Sequence, residues 1–365
     1  MPWLVLHQSV INDSNLMSQL QPLPLPSSLT PADQDALTDL FRRGTAENTL
    51  RAYEQDLAYI GAWKAAAFGA ALAWPEEEAV ALRFILDHAR DLRDATGPAR
   101  EAAEALVTAG LRRGYAAPAP STMDRRIASW RAFHRMKNLR SPFDAPLIKE
   151  ARIKARRAAA RPRQRKSENP ITREVLRAML ATCRTGARRD LRDHAALALA
   201  WASGGRRRSE VTALNLDDID ARPMAERGLI RIRLLHTKTT TPDQAPWLPL
   251  KEFPARSVLA WIEAAGITGG PLFRPVSQAD RVLKRRLTPG GFREIVAHRL
   301  ELAGYPRDFA SPHGLRAGFL TQAALDGAPL AAAMQLSLHR DPGQAQAYYA
   351  DVEITNNPAA NLLGD

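Results

Sequence analysis

The feature that most constrains this chain is a run of positive charge near its middle. Residues 151–166 include eight lysines or arginines and no acidic residue. Like charges at this density repel one another and resist packing, so the run predicts a linker between two separately folded parts. A length of 365 residues is also typical of two domains. We therefore predict a basic linker at 151–169 with an independent core on each side.

The part before the linker has only helical patterns. Apolar residues recur there at helical spacing, as in Leu50, Tyr53, Leu57 and Ile60. Ser121 and Asp124 resemble a capping box at the start of a later helix. We predict a helical domain at 29–150. Residues 1–28, with alternating prolines near their end, are predicted to be a mobile tail, within which Met17 is an alternative start.

The part after the linker mixes helices with two short strands. Residues 228–235 alternate between apolar and polar side chains, and residues 246–250 could pair with them across a polar turn. Helical patterns surround this pair on both sides. We predict a second domain at 170–352 and a C-terminal tail at 353–365. The predicted fold class is mainly α, with a small antiparallel β-sheet in the C-terminal domain.

The charge balance favours a polyanionic partner. The net charge is +12 and the isoelectric point is about 10.3, which in a globular chain most often indicates nucleic acid binding. Arg125, Arg126 and Arg131, on the polar face of the helix near residue 130, are candidate phosphate contacts. The alternative is that this face is only solvated. The linker supplies further candidates, with a solvated tether as the alternative: Arg156, Arg157, Arg161 and Arg163.

Other compositional features exclude several classes of protein. Cys183 is the single cysteine, so an intrachain disulfide is impossible and a reducing cytoplasm is expected. No apolar run approaches the length that spans a bilayer. No carboxylate cluster or histidine–cysteine set suggests a metal site, and no glycine-rich phosphate loop suggests a nucleotide. We predict a cytoplasmic, nucleoid-associated protein without a metal or other cofactor.

Five short motifs carry the candidate chemistry. Arg207 stands three residues before Glu210 at a helix start that follows two glycines, and Lys238 lies in the polar turn between the strands. Further along, the string from Ser311 to Arg316 places a histidine and an arginine on one face of a helix start. That histidine and arginine are His313 and Arg316. The last two motifs are a later histidine, His339, and a pair of adjacent tyrosines, Tyr348 and Tyr349.

Each motif is weak alone, but together they form a coherent set. Three consecutive arginines are more often surface charge, and a histidine three residues before an arginine arises easily by chance. Two arginines, two histidines and a lysine can neutralise the oxygens of a phosphodiester and protonate a leaving alkoxide. A tyrosine can supply the nucleophile, although its usual pKa of about 10 requires a cationic surround. The set predicts metal-free phosphoryl transfer.

The order of these motifs resembles that of the tyrosine recombinases, or phage integrases, over about residues 170–352. The helical part, with the string from Asn48 to Tyr53, is similar to the core-binding domain of that family. The resemblance implies a two-domain clamp that closes on double-stranded DNA. It implies that Arg207 and Arg316 hold the scissile phosphate and that Lys238 is the general acid toward the 5′-oxygen.

The resemblance assigns the remaining residues as well. His313 and His339 would complete the pocket, Glu210 would support Arg207, and a tyrosine would form a 3′-phosphotyrosyl intermediate. The implied function is site-specific recombination for integration, excision or resolution, by a tetramer on two DNA sites and with accessory DNA-bending proteins as possible partners. A type IB topoisomerase, a hairpin-forming strand transferase and a catalytically silent DNA-binding regulator are the alternatives. The sequence does not give the DNA target.

The sequence departs from the family pattern at two places. Leu338 occupies the position before the second histidine, where the family often has glycine, which leaves the turn there open. Two tyrosines compete for the nucleophile's role. Spacing from His339 selects Tyr348, whereas the residues that follow Tyr349 favour Tyr349. Neighbours on a helix point in different directions, so one of the two is predicted to be a core aromatic, and we select Tyr348 as the nucleophile.

Overall fold

The predicted fold class is confirmed by a computed structural model, which describes residues 30–159, 167, 169–235 and 245–355. The chain divides into two compact units, Met1–Pro162 and Arg163–Asp365. In the described residues the first unit is helical, and the second combines helices with a three-stranded antiparallel sheet. The predicted tail at 1–28 lies outside the described residues.

The first unit contains six α-helices and one 3-10 turn among its described residues. The helices are α1 (Pro31–Gly44), α2 (Glu47–Phe68), α3 (Glu78–Ala89), α4 (Pro98–Thr108), α5 (Pro120–Met136) and α6 (Pro146–Ala158), and the turn is Pro142–Asp144. A chain of edge-to-face aromatic contacts forms the centre of its core. Phe84 lies 5.0 Å from Trp63 and 5.6 Å from Trp130 between ring centroids, and Trp130 lies 5.3 Å from Phe143. Such pairs add to the stabilisation that burial alone provides.

Two predictions for this unit are wrong in detail. Helix α5 begins at Pro120 without a side-chain cap, because Asp124 accepts a hydrogen bond from Arg152 at 2.7 Å instead of capping the helix. Residues 151–158, predicted as the start of the linker, are the last part of α6. The charges there do not prevent a helix, because Ile148 and Ala155 face the core while the arginines of the last turn are exposed.

The second unit surrounds its sheet with helices. Its elements are α7 (Arg173–Ala181), α8 (Arg188–Ala202), α9 (Arg208–Ala213), a 3-10 turn (Leu216–Asp218), β1 (Ile219–Asp220), α10 (Met224–Arg227), β2 (Leu229–Arg233), β3 (Trp247–Lys251), α11 (Glu252–Ala264), α12 (Pro289–Leu302), α13 (His313–Leu325), α14 (Leu330–Ser337) and α15 (Pro342–Thr355). Helix α15 therefore includes residues 353–355, which the sequence assigned to a tail. Residues 356–365 lie outside the described part of the chain.

The two predicted strands pair as the alternation indicates. Ile230 lies opposite Leu250 and Ile232 opposite Leu248, and all four side chains face the core. Helix α8 packs on α11, which itself lies against these strands, and its C-terminal half is enclosed on every side, with residues 195–200 fully buried. A helix enclosed in this way gives the turn that follows it a fixed position, and that turn carries the first arginine motif.

Candidate active site

Two glycines allow the turn after α8 to approach two other elements of the second unit. Gly204 and Gly205 have φ of +100° and +70°, which favours glycine. A Cβ atom on Gly205 would lie 2.3 Å from the Cα atom of Arg316, and one on Gly204 would lie 2.3 Å from the carbonyl oxygen of Leu336. The turn therefore contacts the backbone of α13 and the end of α14 directly.

Helix α13 has a second backbone contact on the segment before α7. A Cβ atom on Gly318 would lie 1.8 Å from the carbonyl oxygen of Ile171, so only glycine fits there. Nearby, the amide of Ile171 donates to the carbonyl of Gly314 at 2.8 Å. Contacts at Gly205 and Gly318 hold the helix that presents His313 and Arg316.

Arg207 is the exposed cation of the first motif, and Glu210 holds it. Its Nη1 donates to Glu210 Oε1 at 2.6 Å, and its backbone amide donates to Oε2 at 3.1 Å. The side chain of Glu210 is 3% exposed, whereas that of Arg207 is 41% exposed. The carboxylate can therefore orient the guanidinium while leaving part of it open to a ligand, in the arrangement predicted for a supporting residue.

Arg316 lies deeper and contacts the second predicted histidine. Its Nε and Nη2 lie 3.2 Å and 3.0 Å from the two ring nitrogens of His339, and its Nη1 donates to the carbonyl of Gly205 at 3.3 Å. Burial, with the nearby charges of Arg206 and Arg207, lowers the pKa of Arg316 to about 9. Arg316 is therefore still cationic at neutral pH.

His339 is held in its neutral form. Burial, followed by the charges of Arg316, Arg207 and Arg206, lowers its pKa to about 4. A guanidinium only donates hydrogen bonds, so it favours an unprotonated ring nitrogen on the histidine that it faces. Ser337 Oγ lies 2.8 Å from His339 Nδ1. The Nδ1 atom of the ring therefore faces both a guanidinium and a hydroxyl.

The turn before His339 has the backbone conformation that a glycine would adopt. Leu338 has φ of +54° and ψ of 39°, in the left-handed region, and it ends α14. Its side chain is partly buried against the main core. The absence of glycine therefore does not change the course of the chain, and packing holds leucine in a conformation that is unfavourable for it.

The two adjacent tyrosines have different surroundings. Tyr348 Oη lies 3.1 Å from His313 Nε2, and its ring centroid lies 6.3 Å from that of His339. Tyr349 is 3% exposed and packs in a small cluster with Leu320. Its hydroxyl donates to the carbonyl of Ala328 at 3.1 Å. The geometry therefore places Tyr348 with the polar set and Tyr349 in the core.

Lys238 cannot be placed with this set. The turn 236–244 that carries it lies outside the described residues, although the strands on either side of it are described. The described part of the site thus brings together residues from three motifs of the second unit and the tyrosine helix: Arg207, Glu210, His313, Arg316, His339 and Tyr348.

The predicted DNA-contact arginines lie in different environments. Arg125 and Arg131 are partly exposed but paired with Asp56 and Asp144, each at 2.6 Å. Arg126 is 12% exposed and stacks on the Tyr59 ring at 3.2 Å from its centroid, so it supports the core and has little surface for phosphate. Arg156 and Arg157 are exposed on α6. Arg161 and Arg163 lie outside the described residues.

Sequence reasoning missed two residues of the site. Arg206 is buried beneath it, and Ser337 contacts His339. Nothing in three consecutive arginines distinguishes the buried one from its exposed neighbours. Within the described residues no group of three or more histidine, cysteine or acidic side chains could hold a metal ion, and no helix is long and apolar enough to cross a membrane.

Comparisons with known proteins agree on one family. The model of the phage integrase family matches residues 169–353, just over half of the chain. The integrase/recombinase xerD homolog of Selenomonas ruminantium is 28% identical over 179 residues, which is 47% of this chain and 51% of that protein. The chain thus spans about half the length of this relative. Tyrosine recombinase XerD of Xanthomonas campestris pv. campestris is 28% identical over 289 residues, covering 74% and 83% of the two chains.

Solved structures agree on the fold. XerH site-specific recombinase bound to its difH substrate, in a pre-cleavage complex, has a TM-score of 0.52 at 16% identity and covers 96% of this chain and 94% of its own. The Tn1549 transposon integrase in complex with transposon right end DNA has a TM-score of 0.53 at 14% identity, with coverage of 87% and 96%. At these identities the likeness supports a shared fold.

Proposed function

The chain belongs to the phage integrase family, and from that membership we propose that it is a site-specific DNA recombinase. The observation that carries the proposal is the placement of Tyr348, whose Oη lies 3.1 Å from His313 and whose ring lies beside that of His339, the partner of Arg316. A potential nucleophile, a proton acceptor and two arginines thus meet in one cluster. A DNA-binding regulator without catalysis would have no use for this arrangement.

The proposed reaction is a transesterification at a DNA phosphodiester. His313 accepts the proton of Tyr348, and the phenolate oxygen attacks phosphorus to form a 3′-phosphotyrosyl bond. The bond to the 5′-oxygen breaks, and that oxygen takes a proton from Lys238, the proposed general acid. The 5′-hydroxyl of a second strand then attacks the phosphotyrosyl bond, releases the tyrosine and completes the exchange without external energy.

The arginines would stabilise the charge that develops on phosphorus. Arg207 and Arg316 supply donors to the non-bridging oxygens, and in a site that excludes water such donors contribute strongly. Glu210 fixes the direction of Arg207, and neutral His339 fixes that of Arg316. The buried position of Arg316 adds to its effect, because the field of a cation is less screened away from water.

The proposed substrate is double-stranded DNA, with two recombination sites brought together by a tetramer of this chain. The net charge of +12 supports attraction to the phosphate backbone. We propose that accessory DNA-bending proteins assist assembly and that the protein acts on the nucleoid in the cytoplasm. The known relatives are named as recombinases, which favours exchange between sites over topoisomerase-like relaxation.

The test is a search for covalent protein–DNA adducts. Purified protein is incubated with duplex fragments from the DNA that flanks its coding sequence, and adducts that survive denaturation are captured and sequenced. A recurring site, rebuilt as a nicked suicide duplex, should accumulate adduct in excess EDTA. Noncovalent binding without any adduct would contradict the proposed activity. An adduct that requires a divalent metal would contradict the proposed mechanism.

A further inference from the structure

A buried arginine lies directly beneath the site. Arg206 follows the glycine pair and is 1% exposed, whereas the neighbouring Arg207 side chain is 41% exposed. Removing a charge from water is costly unless it is paired and hydrogen bonded. The position of Arg206 therefore requires an explanation in terms of what it contacts.

The compensation for burying Arg206 is incomplete. Its Nη1 lies 3.8 Å from Glu210 Oε2, which is at the limit of an ion pair. Among the residues that the structure describes, no acceptor bonds its Nε. Burial lowers its pKa to about 10, against the opposite effect of Glu210, so the side chain is still charged at neutral pH. A partly compensated buried charge contributes little to stability, which favours a role in the site.

Its strongest contact is to the end of another helix. Arg206 Nη2 donates to the carbonyl of Leu336 at 2.6 Å. Leu336 lies in the last turn of α14, where carbonyl groups lack partners within the helix and cations are favourable. The two residues that follow are Ser337, which contacts His339, and Leu338, whose left-handed conformation directs the chain to His339.

We infer that Arg206 is a positioning residue, which holds the end of α14 so that His339 stays against Arg316. This role rests on the proposed function only for its effect on cleavage. The link runs from the Arg206 side chain through Leu336 to the turn that presents the histidine. Loss of the link weakens the hold on the turn, because Leu338 is unfavourable in its backbone conformation and Gly204, which lies against Leu336 and Ser337, has no side chain.

The charges around His339 provide a direct readout. The groups that face it come from the glycine turn, from α13, from α15 and from its own turn: Arg206, Arg207, Arg316, His313, Tyr348 and Ser337. The pKa of His339 is about 4 in this environment. Removing the Arg206 charge, and letting the ring move away from Arg316, should raise the pKa of His339 toward its usual value.

The experiment compares Arg206→Met with Arg206→Lys in the full chain. Methionine keeps most of the volume without the charge, whereas lysine keeps a charged donor for the Leu336 carbonyl. The matched control is Arg299→Met, which removes another buried arginine, bound to Asp190 at 2.6 Å and Asp193 at 2.7 Å. The pKa of His339 is measured by NMR titration of protein without DNA, with His339→Gln to assign the signal, and thermal unfolding is recorded for each variant.

In Arg206→Met we expect a raised His339 pKa and cleavage slowed by on the order of ten- to a hundredfold, as for a misplaced group. Arg206→Lys should restore a low pKa and most of the rate, and Arg299→Met should lower stability without moving the titration. An unchanged His339 titration in Arg206→Met would overturn the inference. If that variant does not fold, Arg206→Leu, which also lacks both the charge and the donor, is subject to the same criterion.

The two proposals fail in different ways. Wild-type protein that forms no adduct with any DNA contradicts the proposed function, while the His339 titration still decides the role of Arg206. Cleavage slowed equally in Arg206→Met and Arg299→Met would assign the rate loss to stability alone and would also overturn the positioning role.

Discussion

The adjacent tyrosines allow catalysis and stability to be separated by removing one hydroxyl oxygen at a time. Tyr348→Phe removes the proposed nucleophile and its 3.1 Å contact with His313. Covalent adduct on a nicked duplex should then be lost completely. Binding to the same duplex should change little, because many other cations are expected to contact the DNA backbone.

Tyr349→Phe should have the opposite effect. It keeps the buried ring and loses one hydrogen bond to the carbonyl of Ala328, at 3.1 Å. Such a bond contributes about 1 kcal/mol. For a unit of this size that lowers the midpoint of thermal unfolding by about 2–4 °C. Adduct should still form at close to the wild-type rate, because the nucleophile and its partners are unchanged.

The assay measures both properties on the same preparations. Adduct is followed on a denaturing gel, binding by band shift, and unfolding by circular dichroism. The reasoning would be refuted by adduct in Tyr348→Phe, or by loss of adduct in a folded Tyr349→Phe. Either result would move the nucleophile to Tyr349 and require α15 to turn by about 100°.

Three further predictions test other parts of the molecule. Arg207→Ala and Arg316→Ala should each slow single-turnover cleavage by on the order of a hundredfold, with a much smaller loss in band-shift affinity; equal losses would contradict the phosphate-holding role. Gly205→Ala should unfold the second unit at low urea, because its Cβ atom would meet Arg316. The control is Gly266→Ala, where φ is a similar +58° but the Cβ atom would have open space, and it should lower the free energy of unfolding by about 1–2 kcal/mol. Equal losses of stability would contradict the close approach at Gly205. The third variant neutralises four basic residues near the unit boundary: Arg156, Arg157, Arg161 and Arg163. The salt dependence of DNA binding should then flatten, by roughly 0.9 in slope for each phosphate that is no longer neutralised. An unchanged slope would mean that these residues form only a tether.

Most of the second unit follows from local sequence patterns, because its elements are apolar on the faces that pack. The predicted strand pair has the observed partners, and the helix start predicted between Ser311 and Arg316 is the first turn of α13. The boundary region was less predictable. Charge density alone does not reveal that Ile148 and Ala155 give α6 a buried stripe. Asp124 accepts a hydrogen bond from Arg152, which is distant in sequence, and does not cap the helix.

The sequence named six residues that the structure brings together, but it did not name Arg206 or Ser337. The motif order selected Arg207 and Tyr348, and the contacts of Glu210 and His313 agree with that choice. The burial of Arg206 depends on how closely the glycine turn approaches α14, which is a property of the packed unit. The place of Lys238 remains a prediction, because its turn lies outside the described residues.

Backbone contact on two sides of α13 has a consequence for how such a chain can diversify. At Gly205 and Gly318 no side chain lies between the packed segments, so no substitution there can be absorbed by a neighbouring rotamer. Mutation is therefore expected to leave the geometry of α13 unchanged while it alters surfaces such as the exposed arginines of α6. If the proposed function holds, new DNA targets can be acquired without rebuilding the centre proposed to break the strand, and a laboratory library for retargeting should leave these glycines unvaried.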